Sequence, residues 1–326
     1  MPSAWRIRRP ACRPLLPDLL AAMSRKHDTQ PMDRLGSRES TVGFLLRQLT
    51  ARFARAGIDT PALDAQVILA HVLRVNRAWL LAHPEAEVPG GLGRTVEGWA
   101  RMREERRPLA YILKRREFYG LDFVVDERVL MPRPETEMLV DRALDVIGGW
   151  HEAHGIWPRV ADIGTGSGAI AVTVAAALPD LLTLTAVDIS LDALAVAELN
   201  AARVDGAYHI DFRHGDLLLP LDAPVDVVLA NLPYIPQGDL ATLQPEVQCE
   251  PRLALDGGPD GLDLFRRLFA QAPGRVSSEA VFLLEVGAGQ GAAVAVLAQA
   301  LRPSQVTVTP DLAGHDRLVE IRLGDV

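Results

Sequence analysis

The spacing of apolar residues changes character along this 326-residue chain. In "STVGFLLRQLTARFARAGI" Phe44, Leu45, Leu49 and Phe53 recur at helical spacing and predict an amphipathic helix that Gly57 ends. Thr60 and Pro61 read as an N-cap and a first helical position, opening a second helix in "TPALDAQVILAHVL". "GRTVEGWARMREERRP" predicts a third helix, stopped near Pro108. No sheet signal interrupts residues 39–108, so a small helical domain is expected there. Around Gly120, "EFYGLDFVVDERVLMPRP" turns to short β-rich runs, which assigns residues 109–134 to a β-hairpin linker. The helix "ETEMLVDRALDVIGG" is expected to stop at Gly148–Gly149, leaving "WHEAHGIWP" as a loop.

From Val160 onward strands and helices alternate. "RVADIG", "LTLTAVD", "HIDFRHGD", "VDVVLAN" and "AVFLLEVG" read as strands. "SGAIAVTVAAAL", "SLDALAVAELNAARV", "GLDLFRRLFAQA" and "GAAVAVLAQAL" read as helices, and "SQVTVTP" and "DRLVEIRL" close the chain as strands. This alternation predicts an α/β domain over residues 135–326 with a mostly parallel sheet covered on both faces.

Charge alters the picture at one end. The formal net charge is −8, which disfavours a broad nucleic-acid footprint. Residues 1–38 hold eight Lys/Arg against three Asp/Glu, so the remainder is more acidic still. That leader has the Pro and polar content of a disordered segment. Pro17 and Asp18 interrupt its apolar stretch, so a secretory signal is not expected. No run of eighteen apolar residues predicts a membrane span. Cys12 and Cys249 are the only cysteines, which implies no disulfide framework and fits a reducing cytoplasm.

Candidate chemistry concentrates in three stretches. "ADIGTGSGAIAV" is a strand, a glycine turn and a helix start. Gly164, Gly166 and Gly168 allow a tight turn and close approach of a ligand to the backbone. The helix N-terminus behind them favours a negative group. Asp188 ends the next strand, where a carboxylate can accept from both hydroxyls of a ribose. Both a dinucleotide and S-adenosylmethionine satisfy this pattern. Asp162 has two readings, as a ligand for an ammonium group or as a brace for the glycine loop. Asp216, in "HGDLLLP", is placed to meet an adenine amine or to serve as a turn residue. Leu217 beside it can pack on the adenine face.

The third stretch is "VVLANLPYIP", where a strand runs into Asn231, Leu232, Pro233 and Tyr234. Hydride transfer needs a proton relay, and none lies here. Methyl transfer to an amide nitrogen has another requirement, because the delocalised lone pair is a poor nucleophile. The Asn231 side-chain oxygen can accept one N–H and the Leu232 carbonyl the other, with Tyr234 flat against the planar group. Alignment of that kind supplies roughly 7–11 kcal/mol over a bimolecular encounter. A capped turn before a proline is the plainer reading of the same residues.

On "PLAYIL", "EFYGLDF", "LMPRPETEMLV", "DIGTGSGAIAV", "AVDIS", "NLPYI", "EPRLALDGGPDGLDLFRRL", "LLEVGAGQ" and "DLAGHDR", the chain resembles the HemK/PrmC family over roughly residues 39–323. These are bacterial protein-(glutamine-N5) methyltransferases that modify peptide-chain release factors. The resemblance implies an N-terminal helical domain that engages the release factor, a hairpin linker and a seven-stranded, Rossmann-like class I methyltransferase domain. It implies S-adenosylmethionine as cofactor, with Gly164, Thr165, Gly166, Ser167, Gly168, Asp188 and Leu217 at cofactor-binding positions, and Asp216 and Asn231 complete the candidate cofactor contacts. Asn231 matches the asparagine that grips the glutamine amide, in a signature spanning Leu232, Pro233 and Tyr234. The implied substrate is the Gly-Gly-Gln glutamine of class 1 release factors. A cytoplasmic monomer is expected, without DNA, membrane or metal.

Two positions depart from the family. Leu232 replaces the first signature proline, which removes a restriction on Asn231 worth about 0.4–1 kcal/mol of loop preorganisation. Lys114 stands where glycine is usual, placing the local turn in question. Arg133 and Glu135 lie in a segment the family puts near the site's mouth, or form an ion-paired helix start. His151 and His154 make only half a metal site. The charge run "RMREERRP" reads as a solvated helix face, with ribosomal RNA or the release factor as its other possible contact. DNA adenine and ribosomal-protein glutamine methylation remain alternative activities, as does cofactor binding without turnover.

Overall fold

The computed structural model describes residues 41–181 and 183–324, which divide into two compact units. The leader, residues 1–38, lies outside the described residues.

Among the described residues, the first unit comprises 41–114 together with 245–249. Its helices are α1 (Val42–Arg55), α2 (Pro61–Leu73), α3 (Arg77–Ala82), α4 (Gly93–Glu104) and α5 (Leu109–Leu113). The Thr41 hydroxyl caps α1 by accepting the Phe44 N–H. The buried stripe of α1 runs through Val42, Leu49 and Phe53 and meets Ile68 and Leu69 of α2 and Leu80 of α3. Phe44 and Leu45 sit at its margin, only half-buried.

The charge run at the end of α4 is not a free basic face. Arg103 is buried and pairs with Asp64 at 2.7 Å and with Glu246 at 2.8 Å. Arg106 reaches the same Glu246 carboxylate at 2.7 Å. Two arginines hold that carboxyl down at about 2, against the cost of desolvation. Residues 109–113, expected as part of the hairpin linker, are helical instead. Lys114 ends that helix in the left-handed region at φ 56, so the turn that glycine would make survives without it.

In the second unit the hairpin is confined to β1 (Arg116–Phe118) and β2 (Leu121–Phe123). Tyr119 and Gly120, both at positive φ, make the two-residue turn that matches strand twist. Helix α6 (Glu137–His154) runs past Gly148–Gly149, where the sequence suggested a stop. Gly148 is buried, and beyond it Trp150 stacks on His154 one turn later, ring centroids 4.4 Å apart. Each glycine costs about 1 kcal/mol of helix propensity, which burial of the helix face at Leu139, Val140, Ala143, Val146 and Ile147 outweighs.

The alternating segment forms β3 (Val160–Ile163), α7 (Ala169–Ala177), β4 (Leu184–Asp188), α8 (Leu191–Ala201), β5 (Asp211–His214) and β6 (Val225–Ala230). It continues with α9 (Asp263–Gln271), β7 (Val276–Glu285), α10 (Gly291–Ala298), β8 (Gln305–Pro310) and β9 (Asp316–Arg322). The seven strands lie in the order β5-β4-β3-β6-β7-β9-β8. Strands β3 to β7 are parallel, and β9 pairs antiparallel with both β7 and β8. This is the expected seven-stranded, Rossmann-like arrangement. The strand order reverses between β3 and β6, which opens a crevice at their carboxyl ends. Register then aligns the rim: Ile163 pairs with Val187 and with Ala230, and Ala230 pairs with Leu284. The next residue on each strand, Gly164, Asp188, Asn231 and Glu285, therefore leaves the sheet at one level.

Beneath that rim Phe282 is fully buried and meets Phe269 edge-on, ring centroids 6.1 Å apart. Phe282→Ala is expected to destabilise this unit by about 3–5 kcal/mol through lost burial and a residual cavity. A reduced denaturation midpoint with an unchanged m-value checks it.

Candidate functional site

The glycine turn takes the shape its composition predicts. Gly164, Gly166 and Gly168 have φ of 74, 56 and 79. A side chain at Gly168 would meet Ala197 of α8 at 3.1 Å, so this glycine also sets helix packing. Asp162, fully buried in β3, braces the loop. Its Oδ2 accepts from the Thr165 hydroxyl at 2.6 Å and from the Ala171 N–H at 3.2 Å. That bonding favours the brace over a direct ligand role. Asn200 of α8 is a second brace: its Nδ2 donates to the carbonyls of Ser167 and Val124.

Asp188 accepts main-chain N–H bonds from Gly166 at 2.8 Å and from Ser190 at 2.9 Å. Burial pushes its carboxyl above the usual range, while these bonds pull it back. A carboxylate has about four lone-pair sites, so capacity remains for a ligand's hydroxyls.

A cavity at the crevice is lined by Gly164, Gly166, Asp188, Leu217, Asn231 and Leu232, among others. Asp216 and Pro233 also line it. Asp216 is already committed: its carboxylate accepts from Arg267 and from Gln271 Nε2 at 3.0 Å. Leu217 is buried with φ 50, a strained value for leucine that turns the chain along the cavity wall. Thr165 and Ser167 are buried, and with Gly168 they shape the loop without lining the cavity. The donor set fits an adenosyl group: a carboxylate for ribose, apolar walls at Leu217 and Ile189, and glycines that let the backbone close in.

The amide stretch is strapped in from below. Ile235 N–H donates to Leu255 O at 3.1 Å, and Gly257 N–H donates to Ile235 O at 2.9 Å. A side chain at Gly257 would lie 2.8 Å from the Pro233 oxygen, which is why "LDGGPDG" needs glycine there. Gln290 Nε2 donates to Tyr234 O at 2.9 Å. Tyr234 does not line the cavity; it is half-buried beside it, and desolvation pushes its phenol upward.

Asn231 itself is held by residues that sequence reasoning did not single out. Its Nδ2 donates to Thr136 Oγ1 at 3.1 Å, and the Thr136 hydroxyl donates to Glu285 Oε2 at 2.6 Å. Glu285 is buried at the end of β7, and desolvation raises its carboxyl to about 7. The available signal was an acid ending an otherwise apolar strand, "VFLLEVG".

Other candidates settle into structural roles. Arg133 pairs with buried Glu250, which also accepts the Met131 N–H. Glu135 is exposed. His151 stacks on Trp157 at 4.1 Å, and His154 lies 3.4 Å from Glu279. Among the described residues no cluster of His, Cys, Asp and Glu could hold a metal, and no helix is long and apolar enough to cross a membrane.

Comparison with known proteins bears on this geometry. Residues 45–113 match the family PrmC N-terminal domain, and residues 151–245 match the family Methyltransferase small domain. The release factor glutamine methyltransferase of Cereibacter sphaeroides is 40% identical over 279 residues, covering 85% of this chain and 97% of the relative. That of Moorella thermoacetica is 41% identical over 282 residues, covering 85% and 96%. The solved hMettl16 catalytic domain in complex with MAT2A 3′UTR hairpin 1 is 16% identical with a TM-score of 0.50, over 72% of this chain and 81% of that one. That likeness is one of fold.

The buried Asp162 yields a pH prediction. Burial holds its carboxyl at about 7 in the folded protein, against about 3.9 when unfolded. Between those values the folded state binds the extra proton, so this group's contribution to stability falls as pH rises. Asp162→Asn does not titrate. Its stability relative to the parent is expected to rise between about pH 4 and pH 7 and then level off. Denaturation of both proteins across that range checks this, and a constant difference would refute it.

Proposed function

Because the chain belongs to the release factor glutamine methyltransferase family, we propose that it transfers a methyl group from S-adenosylmethionine to a release-factor glutamine. The target is the side-chain amide nitrogen, N5, of the glutamine in the Gly-Gly-Gln motif of class 1 release factors. The observation that carries this reading is the row at the sheet's rim. It sets an amide side chain, Asn231, level with the glycine turn and with Asp188, around one cavity.

When bound, the cofactor supplies an electrophilic methyl on a sulfonium. Asp188 holds its ribose, Gly164 and Gly166 bring main-chain atoms against it, and Leu217 covers the adenine. Asn231 accepts one N–H of the substrate amide through its side-chain oxygen, and the Leu232 carbonyl accepts the other. Fixing both protons orients the nitrogen lone pair without a strong base, since the nitrogen becomes acidic only as the new bond forms. Preorganised acceptors of this kind need no reorganisation during the reaction. Pro233 keeps Leu232 extended, and Tyr234 anchors the loop by packing, half-buried, against the core cluster. We assign the helical unit to engagement of the release factor, and the cytoplasm as the site of action.

Two substitutions separate the roles. Asn231→Ala is expected to fold, to bind cofactor with unchanged Kd, and to lose roughly 10²–10³ in turnover. Asp188→Ala is expected to raise the cofactor Kd. The assay combines labelled cofactor with a purified release factor, followed by mass spectrometry of the Gly-Gly-Gln peptide. Methyl on any other residue, or full turnover in Asn231→Ala, overturns the assignment.

A further inference from the structure

A carboxamide serves as an acceptor in only one of two orientations, because a half-turn about its last torsion exchanges oxygen for NH2. Nothing in Asn231-Leu232-Pro233-Tyr234 selects between them. The selection comes from two residues far away in sequence. Thr136, in the turn Pro134–Thr136 before α6, receives the Asn231 Nδ2–H on its hydroxyl oxygen at 3.1 Å. The same hydroxyl gives its proton to Glu285 Oε2 at 2.6 Å.

Each link has a direction. An ionised carboxylate only accepts, so the Thr136 hydroxyl must donate to it. The hydroxyl then offers a lone pair, which only the NH2 end of Asn231 can use. A flipped amide would set oxygen against oxygen. Thr136 and Glu285 are 4% and 1% exposed, so water cannot easily stand in for either. We propose that Thr136 and Glu285 are positioning residues that lock the Asn231 amide with its oxygen presented to the substrate, and that the lock requires ionised Glu285. This rests on the role assigned to Asn231 above.

Protonation opens the lock. Protonated Glu285 becomes a donor, Thr136 no longer has to donate toward it, and either amide orientation is then permitted. The charged and titratable groups around Glu285 act in both directions. Arg317 of β9 favours its ionised form, Glu135 of the turn before α6 disfavours it, and the half-buried Tyr234 phenol interacts with it. Desolvation dominates and holds the group at about 7, so the lock closes as pH rises through neutrality.

The test uses the full chain and two readouts. In steady-state methylation of a release factor, Thr136→Val is expected to lower kcat by roughly 10–100-fold with unchanged cofactor Kd. Thr136→Ser, which restores the hydroxyl, is expected to recover most of that loss. The parent's kcat is expected to fall on the acid side of about pH 7, and Glu285→Gln to lack that limb. In cofactor-free protein, the Asn231 side-chain amide NMR resonances are expected to titrate with the same midpoint, and not to titrate in Glu285→Gln or Thr136→Val. Parent-like kcat in Thr136→Val overturns the proposal. So does equal damage in Thr136→Ser and Thr136→Val, or Asn231 amide resonances indifferent to pH. If the parent does not methylate the release factor while its Asn231 amide titrates as described, the functional assignment fails and the lock stands.

Discussion

The site depends on strand register. Parallel pairing puts Val187, Ile163, Ala230 and Leu284 in one row across β4, β3, β6 and β7. In such a sheet a slip of one residue turns every side chain to the opposite face. Ile163, Val187, Ala230 and Leu284 are all fully buried, so a slipped strand would set different side chains into a close-packed core. Fixing the row also fixes where Gly164, Asp188, Asn231 and Glu285 emerge. The core thus specifies the geometry of a polar site that it does not itself contain. The crossover at β3 and β6 opens the crevice between the two residues that matter most for it, Gly164 and Asn231.

At the rim, the rule that a sheet interior is apolar is broken twice. Asp162 and Glu285 are buried acids on β3 and β7, each raised by desolvation to about 7. Neither makes an ion pair among the described residues; each accepts from a threonine hydroxyl, Thr165 for one and Thr136 for the other, and Oδ1 of Asp162 is left without a partner. An unpaired buried carboxylate is expensive, and apolar residues would give a more stable sheet. What the acids provide is direction. Asp162 ties the glycine turn to the start of α7, and Glu285 polarises the chain ending at Asn231. Ion pairs elsewhere serve other ends, as with Arg103 and Arg106 converging on Glu246 in the helical unit.

Features built from contiguous residues were legible in the sequence, and features built across the fold were not. The glycine turn, Asp188 and the Asn231 stretch announce themselves because the backbone demands of a strand, a tight turn and a helix start are local. The helix α6 continues past its glycines because tertiary burial of its apolar face, through Leu139, Val140, Ala143, Val146 and Ile147, overrides their local cost. Leu109–Leu113 was misassigned because five residues carry too little periodicity to separate helix from strand. Asp216 reads from the sequence as an adenine contact or a turn residue, and only the fold shows that Arg267 and Gln271 also reach its carboxylate. Thr136 and Glu285 lie 149 residues apart, and no spacing rule connects them. An isolated acid in an apolar strand marks one end of such a pair without naming the other.

Leu232 shows how a site tolerates loss of a family residue. The proline that the family places there would restrict Asn231 directly, and its absence forfeits about 0.4–1 kcal/mol of preorganisation. Leu232 is 2% exposed and joins the core cluster beneath the sheet's rim. Burying a leucine contributes about 1.5–3 kcal/mol, more than the restriction it replaces. Its Cδ2 lies 3.2 Å from where a Gly164 side chain would begin, so the leucine fits only over a glycine. Anchorage of Asn231 has thus moved from backbone stiffness to side-chain packing. That packing couples the amide loop to the glycine turn, while the bonds from Ile235 and Gly257 hold its far end. The backbone carbonyl of residue 232, the group we assign to the substrate amide, is the same in either case.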